Sequence, residues 1–235
     1  MTPAKHPLSL EGEGQGEGRP QPAHSDRPLV LASSSPRRRD LLSGLGLPFE
    51  VIPSGIDEPV DPSGDPVTQA TALAAAKAQE VAGRAPGRTI VAADTMVVSE
   101  GRILGKPDDN AHAAQMLREL RGREHTVVTG LTVNQMTASR ATAVRMRDYS
   151  DAEIDAYVAT GDPMDKAGSY AIQHPTFRPV ASIDGCYCNV VGLPLGLLAS
   201  LLNQGALASR QPLPQCQGCP DWPPLVPSPS GRGAG

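Results

Sequence analysis

Apolar and polar positions alternate along the chain in two patterns, and each pattern predicts one kind of element. Short apolar runs between polar or turn-forming residues predict buried strands. These runs lie at 29–32, 49–52, 89–98, 124–134, 141–149, 169–172 and 180–183, with one more strand after the turn at 99–102. Apolar residues spaced three or four positions apart predict helices, one beginning at Pro36 and others at 68–82, 111–120, 151–159 and 195–202. Strands and helices alternate early and strands pair later, which predicts an α/β fold with a mixed twisted sheet and flanking helices.

The two ends of the chain lack this periodicity. Residues 1–27 and 206–235 are rich in proline, glycine and polar residues. Such segments cannot bury enough apolar surface to offset the entropy of ordering, so we expect both to be disordered tails. They also dilute the hydrophobic fraction of the chain, which is 39%. The remaining residues, 28–205, have the length of a single domain.

The charge and hydropathy of the chain limit the kinds of molecule that the protein is expected to bind. The net charge is −4, and a mildly acidic protein is not expected to bind a nucleic-acid polymer. A small anionic ligand in a locally basic pocket is still compatible with that charge. No apolar run reaches membrane-spanning length and no signal peptide is recognisable. We therefore expect a cytoplasmic protein with no membrane partner.

The segment "LVLASSSPRRRDLL" combines a strand end, a helix start and three consecutive arginines. Ser35 and Pro36 are typical of an N-cap and a first helical position. The free backbone N–H groups and the dipole at a helix N-terminus attract anions, and arginine suits phosphate oxygens. The alternative is a solvated basic turn. Because cations are unfavourable at a helix N-terminus, an anionic ligand explains Arg37–Arg39 better.

Three further charged residues are candidates for chemistry. Asp94 interrupts an apolar strand, where a carboxylate is costly unless it is paired, binds a metal or faces a cleft. Glu58 lies in the acidic loop "GIDEP", which either suits a divalent cation or is simply solvated. Lys77 lies on an alanine-rich helix and is either an exposed lysine or a cleft cation. Carboxylates and cations without a Ser-His-Asp, Cys-His or Walker pattern indicate hydrolysis of a phosphoanhydride.

Six segments together resemble the Maf family of nucleoside triphosphate pyrophosphatases, which are similar to septum-formation inhibitors. They are "LASSSPRRRDLL", "GIDE", "AAAKA", "AADTMVVSEGRILGKP", "MDKAGSYAIQ" and "VVGLPL", in the order and spacing of the family over residues 28–204. The resemblance implies a fold like that of inosine-triphosphate pyrophosphatases, with two lobes around a deep cleft. It also implies hydrolysis of a nucleoside triphosphate to monophosphate and pyrophosphate, a divalent cofactor (Mg²⁺ or Mn²⁺) and a homodimer.

The resemblance also assigns roles to particular residues. It implies that Asp94 is the proton acceptor and that Asp94 and Glu58 hold the metal. Among the substrate-binding residues it implies, Arg37, Thr95 and Gln173 bear on specificity. The implied substrate-binding residues are Ser33, Ser35, Arg37, Arg38, Lys77, Thr95, Lys106 and Gln173.

The same motifs indicate the substrate. "SPRR", "ADT" and "AIQ" resemble the branch that acts on dTTP and UTP, and Gln173 can present a donor and an acceptor to a pyrimidine edge. His174-Pro175 departs from the family pattern, and a proline restricts the preceding residue to extended conformations. We therefore expect a different loop shape after Gln173.

Two alternatives to a dTTP and UTP pyrophosphatase are a non-catalytic nucleotide-binding regulator of septum formation and a pyrophosphatase for modified pyrimidine nucleotides. The presence of Asp94 and Glu58 favours an enzyme over the regulator.

Overall fold

The structure is a computed structural model that describes residues 28–202 together with Pro214 and Cys219. A seven-stranded mixed sheet lies at its centre with helices packed on both faces. The predicted α/β class with a mixed sheet is confirmed. The predicted tails at 1–27 and 206–235 lie outside the described residues, apart from those two positions. Within the described part of the chain, no helix has the length and apolarity needed to cross a membrane.

The element order alternates in the first half and becomes strand-rich in the second. The strands are β1 Leu29–Leu31, β2 Phe49–Val51, β3 Ile90–Ser99, β4 Arg102–Leu104, β5 Glu124–Val133, β6 Met136–Met146 and β7 Val180–Asp184. The helices are α1 Pro36–Gly44, α2 Pro66–Arg84, α3 Asn110–Leu120, α4 Asp151–Val158, α5 Tyr187–Val191 and α6 Leu195–Leu201. Two 3₁₀ turns lie at Asp162–Asp165 and Ala167–Ser169. The sheet order is β2-β1-β3-β5-β6-β7, with β4 beside β3. β1 pairs in parallel with β2 and β3, and the other pairs are antiparallel.

Side-chain caps fix where the helices begin. The predicted N-cap Ser35 is confirmed, since its hydroxyl accepts a hydrogen bond from the backbone N–H of Arg38. Asp65 caps α2 in the same way, and both helices carry proline near their first position. Ser150 begins α4 with a capping box that includes Glu153. Each cap satisfies backbone donors that the helix itself leaves free.

The strand predicted at 169–172 is wrong. Gly168 and Ser169 have φ angles of 67° and 60°, so the backbone turns through the left-handed region instead of running extended. Gly168 is required there because a Cβ atom would lie 2.9 Å from Cγ1 of Val97. The apolar run "SYAI" therefore lies in an irregular segment that packs against the sheet.

Strand β3 is covered on both faces. Val91 and Ala93 pack with α1, α5 and α6, whereas Ile90 and Ala92 pack with α2. Helix α2 also approaches the neighbouring strand β5 very closely, because a Cβ atom at Gly130 would lie 2.3 Å from the carbonyl oxygen of Ala70. On the same helix, Lys77 lies 2.6 Å from Asp94 of β3.

A gap in strand pairing positions the candidate site. One edge of β3 pairs with β1 through Ile90 and Val91, and with β4 from Val97 onward. Among the described residues, no strand pairs with this edge between those two contacts. The opening faces the loop that follows β1 and begins α1. Asp94 and Thr95 lie within it, so backbone and side chains there are accessible to a ligand.

Candidate active site

A cleft of about 250 Å³ lies at this gap. It is formed by the loop after β1, the loop before α2, α2 itself, β3, the loop after β4 and the irregular segment near 170. All ten residues that the sequence singled out line it together: Ser33, Ser35, Arg37, Arg38, Glu58, Lys77, Asp94, Thr95, Lys106 and Gln173. Their individual roles stay predictions.

A buried lysine holds the two candidate carboxylates together. The Nζ atom of Lys77 lies 2.6 Å from Oδ1 of Asp94 and 2.6 Å from Oε1 of Glu58. Lys77 is only 4% exposed, so it is a cleft cation rather than a solvated surface lysine. Asp94 is buried as well, and its charge is offset by this ion pair. Asp94 is therefore both paired with a cation and part of the cleft lining.

Glu58 is held in its charged form. Its partial burial favours the neutral acid, but the hydrogen bond and charge of Lys77 and the charges of Lys106 and Arg38 outweigh it. The pKa of Glu58 consequently lies below its ordinary value. The Nζ atom of Lys106 is 3.6 Å from Oε2 of Glu58. The carboxylate is thus ionised at neutral pH.

Arg38 is fixed by three neutral acceptors. Its Nε donates to the carbonyl oxygen of Gly192 at 2.8 Å, Nη1 to the hydroxyl of Ser33 at 3.2 Å, and Nη2 to that of Thr95 at 3.0 Å. Gly192 has a φ of 117°, and a Cβ atom there would lie 3.3 Å from Nε of Arg38. The glycine therefore allows the guanidinium to approach the backbone.

The electrostatic environment of Arg38 favours an anion. Burial lowers the pKa of Arg38, while the charges of Asp94 and Glu58 act to raise it. None of the three hydrogen-bond acceptors just described carries a charge. A desolvated cation with neutral partners gains free energy from a phosphate group placed beside it.

Arg37 is held across the mouth of the cleft. Its Nη1 lies 3.2 Å from Oδ2 of Asp165, and the other carboxylate oxygen of Asp165 lies 2.6 Å from Nζ of Lys166. Lys166 is buried. The sequence analysis did not identify Asp165 and Lys166 as cleft residues, because nothing in their spacing places them opposite Arg37.

The cleft carries a surplus of positive charge. Its lining has five cations and three carboxylates, whereas the net charge of the whole chain is −4. A concave site lined mainly by one sign of charge concentrates ligands of the opposite sign. The cations are Arg37, Arg38, Lys77, Lys106 and Lys166, and the carboxylates are Glu58, Asp94 and Asp165.

The other wall of the cleft is largely apolar. Its residues include Val97, Val127, Tyr170, Ile172 and Val190, with the amide of Gln173 beside them. The hydroxyl of Tyr170 is fixed from behind by a 2.7 Å hydrogen bond to Nε2 of the buried His125. An apolar lining with one amide suits a ring that also has hydrogen-bonding edges.

The loop after Gln173 has a defined local shape. The backbone N–H of His174 donates to the carbonyl oxygen of Ala171 at 3.2 Å. The Nδ1 atom of His174 in turn accepts a hydrogen bond from the backbone N–H of Phe177 at 3.0 Å. His174 and Pro175 therefore form an ordered turn next to Gln173, and the departure of its shape from the family pattern stays a prediction.

The carboxylates fit one kind of metal site. Among the described residues, no group of three or more histidine, cysteine or acidic side chains is close enough to hold a metal ion. Mg²⁺ is commonly held by one or two carboxylates together with substrate phosphates and water. Asp94 and Glu58 lie against one lysine nitrogen, beside a cationic cleft. They fit an ion that is shared with a bound phosphate, not a cage made of protein ligands alone.

Sequence reasoning missed several residues that shape the cleft. Thr129 and Asn189 are fully buried and lie behind Thr95. The carbonyl oxygen of Gly192 accepts a hydrogen bond from Arg38, and His125 is hydrogen-bonded to Tyr170. Small polar residues in strands and turns give no distinct sequence signal. Only the strand register, which sets Thr129 opposite Thr95, would have pointed to this group.

Comparison with known proteins agrees with the geometry. The sequence model of the Maf family, described as Maf-like protein, matches residues 28–205. A relative from Thermomicrobium roseum is 50% identical over 210 residues, covering 85% of this chain and 96% of the relative. Relatives from Moorella thermoacetica and Gloeobacter violaceus are 52% and 51% identical, covering 74% and 75% of this chain and 93% and 95% of their own length. All three are named dTTP/UTP pyrophosphatase. The chain belongs to the Maf family.

Proposed function

We propose that the protein hydrolyses nucleoside triphosphates, with dTTP and UTP preferred, to the nucleoside monophosphate and pyrophosphate. The observation that carries this proposal is the pairing of two carboxylates with Lys77 inside a cleft of surplus positive charge. The names of the relatives, dTTP/UTP pyrophosphatase, support the same substrates. A binding protein would need the cations but would gain nothing from the carboxylates, which repel phosphate.

The triphosphate binds along the cationic wall. The N-terminus of α1 offers free backbone N–H groups, and the hydroxyls of Ser33 and Ser35 lie beside it. Arg37, Lys77 and Lys106 supply charges that are paired with carboxylates in this structure. Arg38 is instead held by its three neutral acceptors. Arg37 leaves Asp165 to reach the substrate, because phosphate is the stronger partner for a guanidinium.

The carboxylates act on water. Asp94 accepts a proton from a water molecule whose oxygen attacks the α-phosphorus. The bond from that phosphorus to the bridging oxygen breaks, and pyrophosphate leaves with the electron pair. Arg38 stabilises the negative charge that develops on the leaving group. Lys77, whose Nζ atom lies 2.6 Å from Oδ1 of Asp94, keeps that carboxylate oriented before the reaction.

The cofactor in this proposal is Mg²⁺ or Mn²⁺, which Asp94 and Glu58 would hold. When bound, the ion would supply positive charge that neutralises the phosphates. The homodimer that the family resemblance implies and the cytoplasmic location expected from the sequence both stay predictions.

The amide of Gln173, beside the apolar wall, selects the base. The amide of Gln173 can donate to one carbonyl oxygen of a pyrimidine and accept from the adjacent ring N–H, a pattern that thymine and uracil share. Cytosine presents an amino group and an unprotonated nitrogen instead. The preference for dTTP and UTP over CTP requires that the amide is held in the orientation that suits thymine and uracil, because a flipped amide would pair with cytosine.

The experiment that tests this selectivity compares initial rates with dTTP, UTP, CTP, GTP and 7-methyl-GTP in Mg²⁺, Mn²⁺ or excess chelator. We expect the highest rates with dTTP and UTP, loss of activity in chelator, and recovery when the metal is restored. Gln173→Leu should reduce the preference over CTP. Nucleotide binding without hydrolysis of any substrate would instead indicate the non-catalytic regulator.

A further inference from the structure

Two threonines face one another across the sheet behind the cleft. Thr95 on β3 is directly opposite Thr129 on β5 in the strand register. Their Oγ1 atoms are 2.9 Å apart. Thr129 is fully buried and is not part of the cleft lining, while Thr95 lines the cleft and contacts Arg38. Thr129 therefore does not itself line the candidate active site, but its hydroxyl contacts Thr95, which does.

The direction of each hydrogen bond in this group can be assigned. Thr129 lies 3.1 Å from the carbonyl oxygen of Asn189, which can only accept, so the single hydroxyl proton of Thr129 is donated there. Thr129 then offers only a lone pair to Thr95, and Thr95 must donate its proton to it. The lone pairs of Thr95 remain free to accept from Nη2 of Arg38 at 3.0 Å. All three hydrogen bonds point the same way, away from the guanidinium.

The other end of this series of hydrogen bonds leads back to Arg38. The carbonyl oxygen of Asn189 also accepts from the backbone N–H of Gly192 at 3.0 Å. The carbonyl oxygen of Gly192 accepts from Nε of Arg38 at 2.8 Å. The guanidinium is thus held at two nitrogens by one closed ring of hydrogen bonds that passes through Thr95 and Thr129.

The ring is anchored in the buried part of the sheet. The amide nitrogen of Asn189 donates to the carbonyl oxygen of Val127 at 3.0 Å and to the hydroxyl of Thr142 at 2.9 Å. Asn189 and Thr142 are almost completely buried. Because both partners are packed inside the domain, the ring cannot shift without disturbing the core, which makes it a rigid support for a long side chain.

We propose that Thr129 is a positioning residue for Arg38, acting through Thr95, in the pyrophosphatase reaction. This rests on the proposed function, in which Arg38 binds the phosphates that leave. Without the lone pair of Thr129, the proton of Thr95 loses its only acceptor among the described contacts of that hydroxyl. The hydroxyl then rotates, and Nη2 of Arg38 loses an acceptor of fixed orientation.

Thr129→Val tests this with little change in shape, because valine replaces the hydroxyl by a methyl group. Thr132→Val is the matched control, since Thr132 lies on the same strand, is 1% exposed, and shares a 2.9 Å hydroxyl contact with Thr137. Each variant removes one buried threonine hydroxyl that pairs with a second threonine, but only the Thr129 pair leads to Arg38. Thr129→Val also removes the hydrogen bond to the carbonyl oxygen of Asn189, so its free energy of unfolding should fall somewhat more than that of Thr132→Val.

The activities should differ. We expect Thr129→Val to lower kcat/KM for dTTP by about 10- to 100-fold, the size of effect that small misplacements of catalytic groups produce. Thr132→Val should stay close to the wild-type value, and Thr129→Ser should restore most of the loss. In a Thr95→Val background, Thr129→Val should cause no further loss, because the two residues act in series.

Binding of inorganic pyrophosphate, measured by calorimetry in the same proteins, separates this proposal from the proposed function. If the wild-type protein hydrolyses no nucleotide, the proposed function fails, and weaker pyrophosphate binding by Thr129→Val alone still supports the positioning role. Equal kcat/KM in Thr129→Val and Thr132→Val, in an active wild-type enzyme, would overturn it. So would a wild-type protein that binds no pyrophosphate.

Discussion

Lys77 and Asp94 form a buried ion pair at the centre of the cleft, with Nζ 2.6 Å from Oδ1. Both side chains are less than a tenth exposed. Burying two charges is costly, and an apolar pair of similar size is often at least as stable. The ion pair lies where one edge of β3 is not paired with another strand. Around it, the cleft is lined by cations that would attract a phosphate ligand. Its position supports the proposal that the two charges are buried here for catalysis and not for stability.

Replacing Asp94 by asparagine should abolish catalysis while the fold is retained. Asparagine keeps the shape of the side chain, and Lys77 still contacts Glu58 at 2.6 Å. Loss of the proton acceptor should lower kcat by about 10²- to 10⁴-fold, measured as pyrophosphate released from dTTP. Asp155→Asn is the control, because its side chain is 71% exposed on α4. Turnover near the wild-type rate in Asp94→Asn would show that Asp94 is not the proton acceptor.

The neighbouring arginines Arg38 and Arg39 should differ sharply in importance. Arg38 is held inside the cleft by three hydrogen bonds, whereas Arg39 is exposed and does not line the cleft. Arg38→Ala should lower kcat/KM by about 100-fold, as expected when a donor to developing negative charge is removed. Arg39→Ala should leave the kinetics unchanged. Comparable losses in the two variants would mean that overall basicity, and not the position of Arg38, matters.

Glycine 130 should be essential for the packing of α2 on the sheet. In Gly130→Ala, the new Cβ atom would lie 2.3 Å from the carbonyl oxygen of Ala70, which is backbone and cannot rotate away. We expect a loss of about 2 kcal/mol in the free energy of unfolding, measured by denaturant titration. Gly83→Ala is the control on α2, since a Cβ atom there meets nothing within 4 Å. That variant should gain about 0.5–1 kcal/mol from the higher helix propensity of alanine.

His125 should make the protein sensitive to acid. Burial lowers its pKa from 6.5 to about 4, so the unfolded chain binds a proton between these values that the folded chain does not. The free energy of unfolding should therefore fall as the pH drops from about 6.5 to about 4, by roughly 3 kcal/mol, and the full contribution is present above that window.

His125→Gln supplies the comparison, because glutamine keeps a hydrogen-bonding group near Tyr170 without a titratable proton. The slope of unfolding free energy against pH should be shallower in the variant across that window. Identical slopes would show that His125 is protonated as readily in the folded state as in the unfolded chain.

The sequence predicted local features well where one residue type is strongly preferred at a structural position. Ser35 was identified as the cap of α1 from its place before Pro36, and it forms that cap. The motifs also identified ten residues that the fold brings into one cleft, although they come from six separate segments of the chain. Polar residues in apolar surroundings, such as Asp94, stand out in a sequence because their burial must be compensated.

Other features depend on pairing that a sequence does not display. Thr129 matters only because the register of β3 and β5 sets it opposite Thr95. Helix α5 has only five residues, too few for a helical period to be recognised. The apolar run at 169–172 favoured a strand, but the left-handed backbone at Gly168 and Ser169 excludes one. In each case tertiary contacts decided the outcome.

One measurement tests the central claim most directly: a ³¹P NMR time course of dTTP with the purified full chain and Mg²⁺. The proposed reaction predicts that dTMP and pyrophosphate appear together in equal amounts from the first time points, with no dTDP. The appearance of dTDP with inorganic phosphate would place the cleavage at the wrong phosphoanhydride bond. An unchanged dTTP spectrum under conditions where the nucleotide is bound would contradict the assignment of an enzyme.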